Sequence, residues 1–213
     1  KHAVAFDLSA ACSGFLFALS TAQAYIKGGI YQKVLIIGAE TMSKMIDWSD
    51  RSTCVLFGDG AGAAVVSAEE TGVLELVQKS DGTGKGVLSC KARETRNLLN
   101  HESETKEYLY MEGQPVFKFA VNTVPECVEE VLKKAEVKKE EIRYYILHQA
   151  NSRIIQSVAK RLKEPEEKFP MNLSLYGNTS AASIPILLDE MNRNGLLNRG
   201  DKLVLSGFGA GLT

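Results

Sequence analysis

Long apolar runs, closely spaced cysteines and an excess of either charge are all missing from this chain of 213 residues. No stretch approaches the ~20 consecutive apolar residues that a membrane-spanning helix needs, so no membrane partner is expected. Lysine and arginine total 25 against 26 aspartates and glutamates, a net charge of −1. Such a balance gives the chain no overall attraction to nucleic acid or to an anionic surface. The four cysteines (Cys12, Cys54, Cys90, Cys127) are scattered, with no CxxC pair. That argues against a disulfide framework and for reduced thiols in the cytoplasm. The three histidines stand far apart, and none has a cysteine or carboxylate at ligand spacing, so no metal is expected.

What is present is an ordinary globular composition, 45% hydrophobic and 24% charged, long enough for one large domain or two modest ones. The ends read differently. Residue 1 lies against a strand pattern with no lead-in, and the chain stops on the glycine-rich loop Gly207-Phe208-Gly209-Ala210-Gly211-Leu212-Thr213. Both predict a piece of a longer protein.

Strand and helix patterns alternate. Ala3 to Leu8 reads as a strand, and Phe15, Leu16, Leu19 and Ile26 then recur at helical spacing, with Gly28-Gly29 as a stop. Val34 to Ile37 reads as a strand buried on both faces of a parallel sheet. Val55-Leu56-Phe57 and Val65-Val66 predict two strands meeting at a tight turn in the glycine-rich stretch 58–62. That stretch lacks the lysine of a phosphate loop and the spacing of a dinucleotide fingerprint, so a structural turn is the better reading. Val73 to Val77 predicts a further strand, and 79–107 a polar excursion. Helices are predicted over 116–135, 152–162 and 178–194, and strands at 144–147 and 203–205. The alternation implies an α/β fold with parallel sheets.

Two blocks of the chain echo each other. The first runs from a strand through Ser-Ala-Ala-Cys12 and a helix to Gly28-Gly29 and Lys33-Val34-Leu35-Ile36. The second runs from Asn172-Leu173-Ser174 through Gly177-Asn178-Thr179-Ser180-Ala181-Ala182 and a helix to Gly195 and Lys202-Leu203-Val204-Leu205. A duplicated half-domain would set Cys12 and Asn178 at equivalent helix starts facing one shared site.

Cys12 lies where a strand pattern gives way to a helical one, among small residues. Unpaired N–H groups and the positive end of the helix dipole there favour a thiolate. His148 follows the strand at 144–147, and Asn178 precedes the last helix. Either would be unremarkable alone, as a strand-end histidine and a helix N-cap. Together they offer a nucleophile, a base and two donors to a developing oxyanion, the set that acyl transfer through a thioester requires.

Those segments carry a resemblance. Ser-Ala-Ala-Cys12-Ser-Gly-Phe, His148-Gln-Ala-Asn-Ser-Arg, Tyr-Gly-Asn178-Thr-Ser-Ala-Ala-Ser-Ile-Pro and Phe57-Gly-Asp-Gly-Ala-Gly-Ala-Ala resemble the thiolase-like condensing enzymes, and among them the β-ketoacyl-acyl carrier protein synthase III family. The resemblance implies a layered αβαβα thiolase-like fold of duplicated βαβ halves. Residues 1–70 would be the remainder of the N-terminal half, incomplete here, and 71–213 the C-terminal half. It implies that Cys12 accepts a short acyl group, with acetyl-CoA as the expected starter, in fatty acid initiation. His148 and Asn178 would stabilise the enolate formed when malonyl-acyl carrier protein loses carbon dioxide, and the backbone of Cys12 and Ala210 would hold the oxyanion.

By the same resemblance Arg51, Gly113, Phe117, Asn151 and Phe208 would meet CoA or line its tunnel. Arg153, Lys160 and Arg161, sharing a helix face at i, i+7 and i+8, would join Lys118 in a basic patch for the acidic carrier protein. Met42, Phe57 and Leu109 are pocket candidates. The family works as a homodimer on CoA and carrier thioesters, without a cofactor. A polyketide-type condensing enzyme and a Cys–His–Asn thioester hydrolase are the alternative readings.

Overall fold

The computed structural model describes residues 2–90 and 108–213. A single 3-10 turn, Ala11–Ser13, feeds helix α1, Gly14–Lys27. The helix ends as its two glycines predict. Gly29 takes a left-handed φ of 71°, and its N–H and that of Ile30 close back on Ile26 and Tyr25 at 3.0 Å each, satisfying carbonyls the helix leaves open. Strand β1, Lys33–Glu40, pairs antiparallel with β2, Gly60–Ser67, in unbroken register from Lys33↔Ser67 to Glu40↔Gly60. A short antiparallel pair follows, β3 (Leu88–Cys90) with β4 (Leu109–Met111).

The second half comprises α2 (Gly113–Lys134), β5 (Ile142–Leu147), α3 (Ser152–Leu162), the single-turn helix α4 (Leu173–Tyr176), α5 (Ser183–Arg193) and β6 (Lys202–Ser206). Strands β5 and β6 run parallel.

Burial orders these elements into layers. Strand β5 is apolar on both sides, and side chains alternate between faces along a strand. Tyr145 and Leu147 join Val124, Val128 and Leu132 of α2 and Ile155, Val158 and Leu162 of α3 in one core. Ile146 and Tyr144 point the other way, to Phe15 and Ala22 of α1, Ile184, Leu187 and Met191 of α5, and Ile36 of β1. Helices α1 and α5 are therefore a middle layer, with β1–β2 on one side and β5–β6, backed by α2 and α3, on the other. These are four of the five layers of the αβαβα arrangement. Each side chain of Leu or Ile size buried in the two cores contributes roughly 1.5–3 kcal/mol.

The outer face of β1–β2 has no covering layer among the described residues. Leu35 and Ile37 are each 59% exposed and Val65 69%, and the cross-strand pairs Leu35↔Val65, Ile37↔Ala63 and Ala39↔Ala61 form a continuous apolar surface. This corrects the reading of Val34 to Ile37 as buried on both faces of a parallel sheet. The strand is antiparallel and half-buried, and double burial belongs to β5.

Other local expectations also change. Residues 3–8 form no strand, because no ladder runs beside them among the described residues; Phe6 instead lies edge-on to Tyr25, ring centres 6.4 Å apart. The stretch 73–77 is likewise not a strand. It is pinned to α1 by the Gln23 amide, which donates to Val73 O at 3.1 Å, and by Gln78 Nε2, which donates to Ser20 Oγ at 3.0 Å. Residues 51–56 turn around the Asp50 carboxylate, which accepts from Ser52 N at 2.9 Å and Thr53 Oγ1 at 2.8 Å. Phe57 makes one parallel bridge to Asn178. Of the predicted excursion, 91–107 lie outside the described residues, and its flanks supply β3 and β4.

The glycine-rich stretch is not a turn between two strands but the entry to one strand, and its glycines serve close approach. A Cβ on Gly58 would collide with the carbonyl of Tyr176, and one on Gly62 would sit 2.9 Å from Pro185. Strand β2 can thus lie directly on α5 and on the loop carrying Asn178. Gly58→Ala should cost about 1–3 kcal/mol by overpacking, seen as a lower midpoint in urea unfolding with an unchanged m-value.

Candidate functional site

Two tight turns meet at the centre of the molecule. In the first, Ala11 takes φ 45° and Cys12 follows; in the second, Ser180 takes φ 52° and Ala181 follows. Both are 3-10 turns (Ala11–Ser13 and Ser180–Ala182) that run straight into helices at Gly14 and Ser183. Left-handed backbone at a non-glycine residue costs of order 1–3 kcal/mol and concentrates at functional sites. The two echoed segments therefore share a turn that runs into a helix, with one correction to their alignment. The counterpart of Cys12 is Ala181, and Asn178 sits three residues before it, ahead of the turn. Gly14 brings the two copies together, since a Cβ there would lie 3.4 Å from that of Ala181.

Cys12 is 8% exposed. Its thiol is pushed up to about 11, first by burial and then by the charge of Glu40, while hydrogen bonds from the Ser180 hydroxyl and from its own backbone N–H act the other way. The sequence reading expected a helix start to favour thiolate; loss of hydration outweighs that effect, and the resting sulfur is a thiol. The glycine-rich loop 207–213 packs on it. A Cβ on Gly209 would stand 2.7 Å from Cys12 Cβ, and the loop is closed by Gly209 N–H donating to Thr213 O at 3.0 Å. Ala210, with Ala10, Ala11, Phe17 and Gly211, lines a cleft of about 570 Å³ beside the Cys12 turn. Its φ is not among the positive ones, so its methyl causes no backbone strain.

His148 is 1% exposed at the end of β5. Its backbone N–H donates to Ser206 O at 2.8 Å, Nδ1 lies 2.7 Å from Ser183 Oγ, and Phe208 packs edge-on with ring centres 5.4 Å apart. Burial pulls its pKa down to about 4, so the imidazole is neutral. With Nδ1 held by Ser183, Nε2 is left for a ligand.

Asn178 is 7% exposed. Its backbone is clamped between Leu56 O (2.8 Å) and Gly58 N–H (3.0 Å), and its Oδ1 accepts the N–H of Ser180 at 2.9 Å. The side chain thus caps the second turn and leaves its Nδ2 protons available to an incoming oxygen. Cap and donor, weighed as alternatives in the sequence, are compatible. Sequence reasoning missed Glu40, Ser180, Ser183 and Gly209. Two of these lie inside the Asn178 motif, and aligning the two echoes on their turns would have singled out Ser180.

The remaining candidates are more dispersed. Arg51 is exposed on the turn after Asp50. Gly113 opens α2 with free space around it, and Phe117, one turn on, is partly packed on the α2–α3 core. Asn151 is the N-cap of α3, its Oδ1 accepting Arg153 N–H at 2.8 Å. Arg153, Lys160 and Lys118 are exposed. Arg161 reaches across to α2, where its Nη1 donates to Val121 O at 2.9 Å. Among the described residues no cluster of His, Cys, Asp or Glu could hold a metal, and no helix is long and apolar enough to cross a membrane.

Comparison with known proteins finds the family described as 3-oxoacyl-[acyl-carrier-protein] synthase III over residues 6–82 and its C-terminal part over 132–213. The chain is 53% identical to the β-ketoacyl-[acyl-carrier-protein] synthase III of Clostridium novyi over 99% of its length, and 50% identical to that of Clostridium botulinum (strain Okra) over 100%. It spans 66% of the length of each of these relatives. Among solved structures, the synthase III of Aquifex aeolicus matches the whole chain with a TM-score of 0.90 at 45% identity, the chain covering 65% of it. The priming β-ketosynthase of the R1128 polyketide pathway matches 97% of the chain with a TM-score of 0.90 at 39% identity, the chain covering 62% of it.

The neutral, buried imidazole has a consequence for stability. Its folded pKa of about 4 lies below the ordinary value of 6.5. Between those two pH values the unfolded chain binds a proton that the folded chain does not. Stability conferred by a neutral His148 is therefore fully present above pH ~6.5 and falls as the pH drops toward ~4, by a few kcal/mol. His148→Gln should flatten this part of the pH–stability curve, measured by urea unfolding at several pH values.

Proposed function

We propose that this chain, which belongs to the 3-oxoacyl-[acyl-carrier-protein] synthase III family, carries the reaction centre for condensing a short acyl-CoA with malonyl-acyl carrier protein. The observation that carries this reading is the convergence on one short segment, Ser180–Ser183. That segment bonds to Asn178 through Ser180 N–H, to the Cys12 sulfur through Ser180 Oγ, and to His148 through Ser183 Oγ.

In this reading Cys12 attacks the acyl-CoA carbonyl, and backbone N–H groups of Cys12 and Ala210 hold the oxyanion. The Cys12 thiol proton passes to the departing sulfur, CoA leaves as the free thiol, and the acyl group stays on Cys12. Malonyl-carrier then enters. Asn178 Nδ2 and His148 Nε2 donate to the thioester oxygen as carbon dioxide departs, stabilising the enolate without supplying a proton to its carbon. A buried neutral imidazole and an amide suit that task, because fixed donors in a dry site act most strongly on a charge that develops late. The enolate carbon attacks the acyl-cysteine carbonyl, the bond to sulfur breaks, the β-ketoacyl-carrier is released, and Cys12 leaves as a thiolate that takes up a proton.

Arg153, Lys160 and Arg161 on α3, with Lys118 on α2, are exposed cations proposed to receive the acidic carrier; Arg161 also ties α3 to α2. Acetyl-CoA is the proposed starter and fatty acid initiation the proposed setting. The likeness to a polyketide priming ketosynthase supports the same chemistry on another starter. The bare outer face of β1–β2 is proposed to take the outer helical layer of the αβαβα fold, and the working unit to be a homodimer.

The half-reactions separate the proposed roles. In the full-length protein, Asn178→Ala should slow malonyl-carrier decarboxylation by about 10²–10³-fold while acylation by acetyl-CoA is largely retained. Equal loss of both would contradict the enolate role.

A further inference from the structure

We propose that Glu40, acting through the hydroxyl of Ser180, keeps Cys12 protonated in the resting protein and so sets when the sulfur becomes a nucleophile. The inference deepens the reading above and rests on Cys12 being the residue acylated.

Glu40 ends β1 directly beneath the second turn. Its Oε1 lies 3.2 Å from Ser180 Oγ, and the backbone N–H of Ala181 also donates to the carboxylate. Gly38, two residues earlier, lets the strand come this close, since a Cβ there would stand 2.7 Å from Ala181 O. The Ser180 hydroxyl is buried, and it also meets the Cys12 sulfur. A hydroxyl has one proton to give and two lone pairs to receive. When Glu40 is ionised, that proton is drawn to the carboxylate, in competition with the hydrogen bond to sulfur that lowers the thiol. The negative charge beside the site opposes thiolate as well. Glu40 therefore opposes the thiolate twice, by its charge and by drawing off the one hydroxyl proton that would stabilise it.

The other ionisable groups near Glu40 do not offset it. Asp59 adjoins its ladder partner Gly60, but its oxygens are taken by Ser43 N–H at 2.8 Å and Ser43 Oγ at 2.6 Å. His148 is neutral and its Nδ1 is engaged by Ser183. Burial also raises the proton affinity of Glu40 itself, so a proton taken up from water neutralises it more readily than an exposed carboxylate. The hydroxyl would then be free to turn and donate to sulfur.

Glu40 is thus a positioning residue, and the pH profile of Cys12 alkylation by iodoacetamide reads it independently of acyl transfer. The rate at Cys12 is followed by peptide mass spectrometry in the full-length protein. Glu40→Gln should move the alkylation midpoint down by about one pH unit, raising the rate near pH 8 about tenfold. Glu40→Asp, which keeps the charge, should retain the wild-type midpoint. Adding Ser180→Ala to Glu40→Gln should move the midpoint part of the way back up. A midpoint unmoved or raised in Glu40→Gln would overturn the proposal, as would a uniform loss of reactivity at every pH, which marks a purely structural role. Acylation by acetyl-CoA is measured on the same samples. If Cys12 alkylates as predicted but takes no acyl group, the functional reading fails and the control of the thiol stands.

Discussion

Everything in this molecule depends on two strained turns packed against each other. Ala11 and Ser180 are both held in left-handed backbone, and each is followed by a residue that faces the other copy. The strain is maintained from several sides. Asn178 caps the second turn, Glu40 grips its hydroxyl and amide, and the loop 207–213 closes over the first. Helices α1 and α5 start at these turns and form the middle layer between the sheets, so the position of the nucleophile and the stacking of the core are one constraint.

Burial sets the chemistry of the centre. It raises the thiol of Cys12, lowers the imidazole of His148 and raises the carboxyl of Glu40, in each case favouring the uncharged form. Apart from the Glu40 carboxylate, the site consists of neutral donors around a withheld nucleophile and has little charge to reorganise. It can therefore respond strongly to the charge of an oxyanion or enolate formed within it. The dry core that stabilises the fold thus also prepares the site.

Much of this was legible in the chain. The stop of α1 at Gly28-Gly29, the strand β5 and the three motifs around Cys12, His148 and Asn178 are local patterns, and local patterns survive folding. What was misread depended on distant partners. Leu35 and Ile37 look buried in sequence, but burial is a property of the layer above them. Residues 3–8 carry a strand pattern, but a strand exists only beside another. Gly58 and Gly62 suggested a turn because sequence shows that side chains are absent, not which helix takes their place. The electrostatics of Cys12 were misjudged for the same reason: the helix start is visible in the sequence, whereas the desolvation that overrides it comes from elements nearly two hundred residues away.

The central claim is that the two turns build one acyl-transfer site at Cys12. Its most direct test is the intact mass of the full-length protein after mixing with acetyl-CoA, and again after adding malonyl-acyl carrier protein. The account predicts a single acetyl adduct, mapped to Cys12, that disappears as acetoacetyl-carrier forms. An adduct that decays to acetate at the same rate with or without malonyl-carrier, or one that forms equally in Cys12→Ala, would contradict it.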